Sequence, residues 1–325
     1  MTTSPAEHRT PIEFAARDID LHVHTLHSAC GYTSHRRLLE LTRAAGRRVV
    51  AVTDHDSAAG GVALRALAAR EAADVFVLVG MELTTSDLGH VVLFGRGVEE
   101  EWGWKKGSPF PRDIPDHWAA IQAHPYRQKV TLRDGETIAE PLPDLPERID
   151  AVERWNGGDV LKKMPGLRAA LDGVSRAYIE RYGKVAVASS DGHRPMWVHS
   201  FFTRFERDIA STDDAVAQLK AGRVTPMARD EAHYGACAEQ WQRREVVEWC
   251  ESGKDWRALA LAAGYDAADA ECRVKLYQEA KALAARGATV AQVAGELEVS
   301  PEAAADLLSV VEEQRDFAAW RAKPV

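Results

Sequence analysis

An α/β barrel followed by an all-helical C-terminal appendage is the fold class that the sequence predicts. Three observations predict it. Short apolar runs alternate with helix-like stretches through about the first 230 of 325 residues, which is the signature of a mostly parallel sheet. These units are numerous enough to suit a barrel. Beyond His233 strand signals vanish, and an Ala-rich helical texture takes over.

A polar leader occupies residues 1–17. Ile19–Thr25 then reads as a strand. Arg37–Gly46 reads as a helix, with leucines at 38, 39 and 41 and a glycine stop. Val49–Thr53 is a continuous apolar run, as expected of a buried strand. Gly61–Glu71 is an Ala-rich helix. Val75–Thr85, His90–Gly95, Trp118–His124 and Asp150–Trp155 read as strands. Met164–Tyr182 is a long helix, Lys184–Ser189 a strand, and Ser200–Glu206 alternates like a strand. Ser211–Gly222 is a helix, with Ser211 or Thr212 as its cap and Gly222 as its stop. Pro and charge content make loops of Glu99–Pro115 and Gln128–Pro146. The expected organisation is a leader at 1–17, a barrel at 18–230 and a helical region at 231–325.

Composition excludes several classes. No apolar run approaches the ~20 residues of a membrane span, and the N-terminus lacks a signal-peptide pattern. Cys30, Cys237, Cys250 and Cys272 have no disulfide or metal spacing among themselves, so a cytoplasmic protein with free thiols is expected. The formal charge of −8 argues against bulk attraction to nucleic acid or membrane. In the C-terminal region Val290–Leu297, a turn at Glu298–Ser300 and a helix opened by Pro301 resemble a helix-turn-helix. That second helix offers Glu302, Asp306, Glu312 and Glu313, and residues 233–325 hold 11 Lys/Arg against 16 Asp/Glu. Phosphates would be repelled. Packing, or a homo-oligomer formed through these helices, is the better expectation.

The chemistry lies at the strand ends. In "DIDLHVHTLHSAC", His22 and His24 stand two apart and so face one side of a strand. Burying both requires partners for both, and one metal ion serves both at once. "AVTDHDS" places Asp54 and His55 at the next strand end. Glu82 follows in "GMELTT", His90 in "GHVVLFG", His124 in "AHPY", Trp155 and Asn156 in "ERWN", and Asp191 and His193 in "SSDGH". In a parallel barrel such ends share one rim.

Taken in order, "DLHVHT", "AVTDHD", "GMELTT", "AHPY" and "SSDGH" resemble the PHP (polymerase and histidinol phosphatase) phosphoesterases, from about Asp18 to Arg229. That resemblance implies a distorted (β/α)7 barrel carrying two or three divalent metal ions. It implies that His22 and His24 hold one ion, with Glu82 bridging and Asp191 contributing. His55 and His193 would serve a second ion, and His90 and His124 would join Glu82 around a third. Mixed imidazole and carboxylate donors suit Zn, Mn or Fe better than Mg. Asp54 would orient a ligand. Where many relatives carry Ser-Asp-Gly, this chain has Ser28-Ala29-Cys30-Gly31. Cys30 is the leading candidate for that vacant ligand position, with His27 and His35 as rivals.

The implied activity is hydrolysis of a phosphate ester on a small phosphorylated metabolite, a nucleotide above all, by a metal-bridging hydroxide. Asp191, His193 or His55 would carry protons. Arg194, Arg127 and Lys129 would grip the phosphate. Trp155 would stack on a base or pack, with packing preferred. The alternative is a nucleic-acid-directed nuclease or a DNA-associated regulator using the C-terminal helices.

Overall fold

The fold was obtained as a computed structural model, which describes residues 17–71, 74–100, 104–111, 113–127, 129–133, 136–160, 165–229, 244–262 and 266–322. The chain divides into two compact units, Met1–Asp230 and Glu231–Val325.

The first unit is built on a curled six-stranded half-barrel. Its order is β2 (Val49–Val52), β3 (Phe76–Thr84), β4 (His90–Gly95), β5 (Trp118–Gln122), β8 (Ala151–Asn156) and β9 (Val185–Ser189). A second sheet holds β1 (Asp18–Ile19), β10 (Phe201–Phe205) and β11 (Val224–Ala228), all antiparallel. Helices α1 (His35–Ala44), α2 (Ala59–Glu71), α3 (Gly157–Val160), α4 (Pro165–Tyr182) and α5 (Thr212–Lys220) connect the strands. Ser34 caps α1 and Ser211 caps α5, each accepting a backbone N–H from the first turn.

Alternation along the strands divides the core into two faces. Val50, Val52, Val77, Val79 and Leu93 pack with Leu38 and Leu64 on one face. Val49, Ala51, Leu78, Val92, Ile121 and Val187 line the other, beneath Ile19, Phe205 and Leu219 of the second sheet and α5. Glu82 and His90 share the parity of Leu78 and Val92. They therefore extend this second face to the sheet's end.

The structure corrects three expectations. The sheet is mixed: β2–β3, β5–β8 and β8–β9 are parallel, whereas β4 is antiparallel to both β3 and β5. Among the described residues the hydrogen-bonded ladders form sheets of six, three and two strands. This reversal explains His90. The first residue of an antiparallel strand sits opposite the last of its partner, and Thr84 pairs with His90. The expected strand Ile19–Thr25 forms a ladder only at Asp18–Ile19. Beyond it, Val23 N–H goes to Thr53 Oγ1 (3.2 Å) and Thr25 N–H to Asp54 Oδ1 (2.7 Å). Side chains thus take two of the backbone donors, while scattered backbone bonds remain (Ala51 N–H to Asp20 O, Thr53 N–H to Val23 O, His24 N–H to Gly192 O), and Val23 makes only an isolated bridge to Gly192. Finally, the loop at 128–146 contains a hairpin, β6 (Val130–Arg133) with β7 (Glu136–Ala139). The Asp134-Gly135 dipeptide between them is its sequence signal. β11 was not among the expected strands; it carries Pro226 and lies at an edge, paired only with β10, where Pro is tolerated.

The second unit is helical where described: α6 over 244–251, α7 (Trp256–Ala262), α8 (Ala267–Ala285), α9 (Val290–Glu296) and α10 (Pro301–Arg321). Thr289 and Gln292 form a capping box on α9. Ser300 caps α10, with Pro301 in its first turn. Ala280, Leu283, Val293 and Ala304 make a small core. Arg244 is buried and donates to both Glu313 carboxylate oxygens (3.0 and 2.9 Å) and to Asp306 (3.3 Å).

Candidate metal centre

Eight of the nine ligands expected from the sequence converge on one buried cluster. Four tight groups of potential ligand atoms occur among the described residues: His22–His24–Asp191, His24–His55–His193, His22–Glu82–His124 and His55–Glu82–His90. Glu82 stands at the centre. Its Oε1 lies 2.8 Å from His90 Nδ1, 3.0 Å from His124 Nε2 and 3.4 Å from His22 Nε2. Its Oε2 lies 2.8 Å from His55 Nδ1 and 3.3 Å from His24 Nε2. Asp191 Oδ1 lies 3.1 Å from both His24 Nε2 and His193 Nδ1. His90 and His124 both reach Glu82 Oε1; within the tight groups His90 stands with His55, and His124 with His22.

Buried acceptors fix the imidazoles that face the cluster. His22 Nδ1 donates to Glu153 Oε1 (2.9 Å), and His24 Nδ1 to Ser28 Oγ (3.0 Å). The two Nε2 atoms then face each other across 3.0 Å. Burial opposes a charge on His22, but Glu82, Asp191 and Glu153 outweigh it and raise His22 well above its usual value, so the metal-free chain holds a proton here, which a metal cation would replace. Glu82 Oε2 and Asp191 Oδ1 are buried and are approached only by imidazole nitrogens, without well-aligned hydrogen bonds, an arrangement that a cation held between carboxylate and imidazole would satisfy. Donated Nδ1 protons, inward Nε2 atoms and buried carboxylate oxygens form a donor set that fits divalent cations with mixed N/O ligation.

The electrostatics agree. Burial pushes Glu82 upward, but His22, His124 and His24 outweigh it and hold the carboxyl well below its usual range. Burial likewise opposes Asp191, and Arg127, His22 and His193 hold it down. Burial lowers His55, but Cys30 and Glu82 raise it to about 10. His193, also opposed by burial, is raised to about 9 by Asp191 and Cys30. Backbone strain concentrates here as well. His124 (φ 28°) and Asp191 (φ 50°) both adopt left-handed backbone.

Cys30 lies outside the four tight groups but at the same mouth. It is exposed, and its thiol contacts His193 and His55; burial of the sulfur raises it, yet these imidazoles bring it down to about 5. The rivals His27 and His35 face each other, with ring centroids 5.1 Å apart, and neither enters a metal-holding group. Asp54 acts at one remove. It accepts from Thr25 and from Ser28 N and Oγ, so it orients the Ser28 hydroxyl that holds His24.

The expected phosphate grips are placed differently from one another. Arg127 donates to Asp159 (2.8 Å), Asn156 (2.9 Å) and Asp191 Oδ2, so its guanidinium is committed to protein carboxylates. Arg194 is only 2 % exposed and stacks over Tyr32 at 4.2 Å. Neither presents an open fork to a phosphate. Lys129 is half-buried in the turn before β6, where its N–H donates to Tyr126 O. Trp155 donates its indole N–H to Asp172 (2.6 Å) and lies beneath Arg154, which agrees with packing.

Sequence reasoning missed Glu153. Besides His22 it accepts from His124 N (2.8 Å), Asn156 Nδ2 (2.7 Å) and Ser189 Oγ. The signal was present: an acid two residues after Ala151 in a buried strand shares that residue's face. Asp20 shares the strand face of His22 and His24 by its spacing. It anchors Ser190 N (2.9 Å) and His199 N (2.7 Å), and so positions the segment bearing Asp191.

The PHP resemblance is borne out by a PHP-associated family model that matches residues 173–224, the segment carrying Asp191 and His193. No curated protein matches the sequence. Among solved structures, PsfC from Pseudomonas syringae has a TM-score of 0.50 at 15 % identity, over 69 % of this chain and 97 % of its own; it shares the fold. A Bifidobacterium adolescentis protein described as a metal-dependent phosphoesterase aligns over 56 % of this chain and 90 % of its own, at 16 % identity and a TM-score of 0.38. An amidohydrolase from Chromobacterium violaceum aligns over 66 % and 99 %, at 15 % identity and a TM-score of 0.37.

Proposed function

We propose that this chain, PHP-like in its motifs and in its matched segment, is a metal-dependent phosphoesterase acting on a small phosphorylated metabolite, with nucleotides the first class to test. One observation carries the reading: two buried carboxylates, Glu82 and Asp191, stand among six imidazoles whose ligand atoms converge with theirs in four overlapping three-residue groups.

In this reading His22, His24, His55, His90, His124, His193, Glu82 and Asp191 hold two or three divalent ions, with Cys30 adding a thiolate at the mouth. When bound, such cations supply Lewis acidity toward phosphoryl oxygens and activate water as a nucleophile. The chain's own residues do the positioning. Glu153 and Ser28 keep Nδ1 of His22 and His24 protonated, so that each Nε2 remains a donor to metal. Arg127 occupies Asp191 Oδ2 and leaves Oδ1 to the cluster. Leaving-group and solvent protons fall to Asp191, His193 or His55, all at the cluster.

Elemental analysis of the purified protein, then assays of an aryl phosphate monoester and diester with and without Mn²⁺, tests the proposal. Bound Zn, Mn or Fe with hydrolysis of either ester supports it. A chain that takes up none of these metals and cleaves neither ester refutes it.

A further inference from the structure

The loop after β4 brings an unassigned cation to the same rim. Residues 104–110 are pinned there. Gly107 N–H donates to Thr84 O (2.7 Å), and Ser86 N–H to Ser108 O (3.1 Å). Phe110 N–H donates to Asp87 Oδ1 (2.9 Å), and Trp104 Nε1–H to Asp56 Oδ1 (3.0 Å). Asp56 follows His55 directly and also accepts from Thr84 N (2.7 Å) and Oγ1 (2.9 Å). Thr84 in turn pairs with His90. The loop is thus fastened to the residues that flank the His55–Glu82–His90 group.

This loop presents Lys106. Its side chain is 71 % exposed, and its Nζ lies 3.8 Å from Asp56 Oδ2, beyond hydrogen-bond reach. Lys105 beside it is also exposed. The contrast with the nearby guanidinium groups is chemical. Arg127 is spent on three protein acceptors and Arg194 is buried against Tyr32. A compact ammonium on a flexible stem, loosely tethered at a rim, suits a point-charge contact with a bound anion.

We propose that Lys106 is a substrate-binding, specificity-determining residue, and that the substrate is a phosphate ester bearing a second anionic group that Lys106 engages. This rests on the reading of the cluster as a phosphoesterase centre. The shared chemistry is a small dianionic or carboxylate end; phosphate and carboxylate are its two sources.

The test is calorimetric titration of the full, Mn²⁺-loaded chain with ethyl phosphate, phosphoglycolate and propane-1,3-diol bisphosphate. Wild type is expected to prefer one or both bifunctional ligands over ethyl phosphate by about three- to fivefold, less at high salt as screening grows. The stronger of the two identifies the second group. Lys106→Glu should erase the preference and Lys106→Arg should keep it. Both substitutions sit on an exposed side chain, and matched melting curves and metal contents verify the fold. A wild type without preference, or a Lys106→Glu variant that retains it, overturns the assignment while leaving the phosphoesterase reading intact. Failure of the metal-loaded chain to bind even ethyl phosphate overturns that reading, and the assignment with it.

Discussion

At the scale of single residues, Glu153 illustrates how a group that touches no reacting atom can govern the site. Its carboxylate holds the His22 tautomer, the His124 backbone and the Asn156 amide together. Glu153→Gln keeps the shape but removes the charge that favours the Nδ1–H tautomer of His22. Metal affinity should fall about 10- to 100-fold, read by competition with a chromophoric chelator, with little change in the far-UV circular dichroism. Protonation at the cluster gives a second expectation. His55 at about 10 and His193 at about 9 stand above the ordinary 6.5, so both are charged at neutral pH in the metal-free chain. Ligation needs a neutral imidazole, so metal uptake expels protons and affinity rises with pH toward about 9–10. For the metal-free chain the sign follows from pKa values raised on folding. The stabilisation is full below 6.5 and is lost as pH climbs through about 9 and 10. Melting of chelator-treated protein should therefore fall across that window, and titrations in buffers of different ionisation enthalpy should show proton release.

At the scale of elements, the start of α3 is decisive because it approaches the Asp191 carboxylate without a side chain. A Cβ at Gly158 would lie 2.8 Å from both Arg127 Nη2 and Asp191 Oδ2, so one of them must shift. Gly158→Ala should weaken metal retention by about tenfold or more while moving the melting temperature far less, checked by dialysis followed by elemental analysis. Elements also show what was legible in the sequence. His90–Gly95 was read to its exact ends because its apolar run is bounded by a glycine on either side. The extension of β1 through Thr25 was over-read, because alternation alone cannot reveal that Thr53 and Asp54 take its backbone donors. β11 was not among the expected strands; the tolerance of its Pro226 depends on being at an edge, which is a property of the assembled sheet.

At the scale of the molecule, the two compact units have different foundations. The first rests on continuous apolar strands packed on both faces. The second has small helical cores and one buried charge network, Arg244 with Glu313 and Asp306. Removing one partner of such a network leaves the others buried and uncompensated. Arg244→Ala should destabilise the C-terminal unit by about 3–5 kcal/mol, seen as an earlier transition in calorimetry. The melting of the metal-holding unit and its metal content should change little.

The sequence by itself determined which imidazoles and carboxylates gather in one cluster. Imidazoles and carboxylates at successive strand ends mark a metal site, because burying that many polar groups requires a common partner. It also marked the texture change near residue 230, since strand and helix periodicities differ along the chain. Only the tertiary structure decided which ligands share a group, which arginines are already spent on protein carboxylates, and that Glu153 holds His22. Those outcomes depend on contacts between residues from about thirty to more than a hundred positions apart, which no local periodicity encodes.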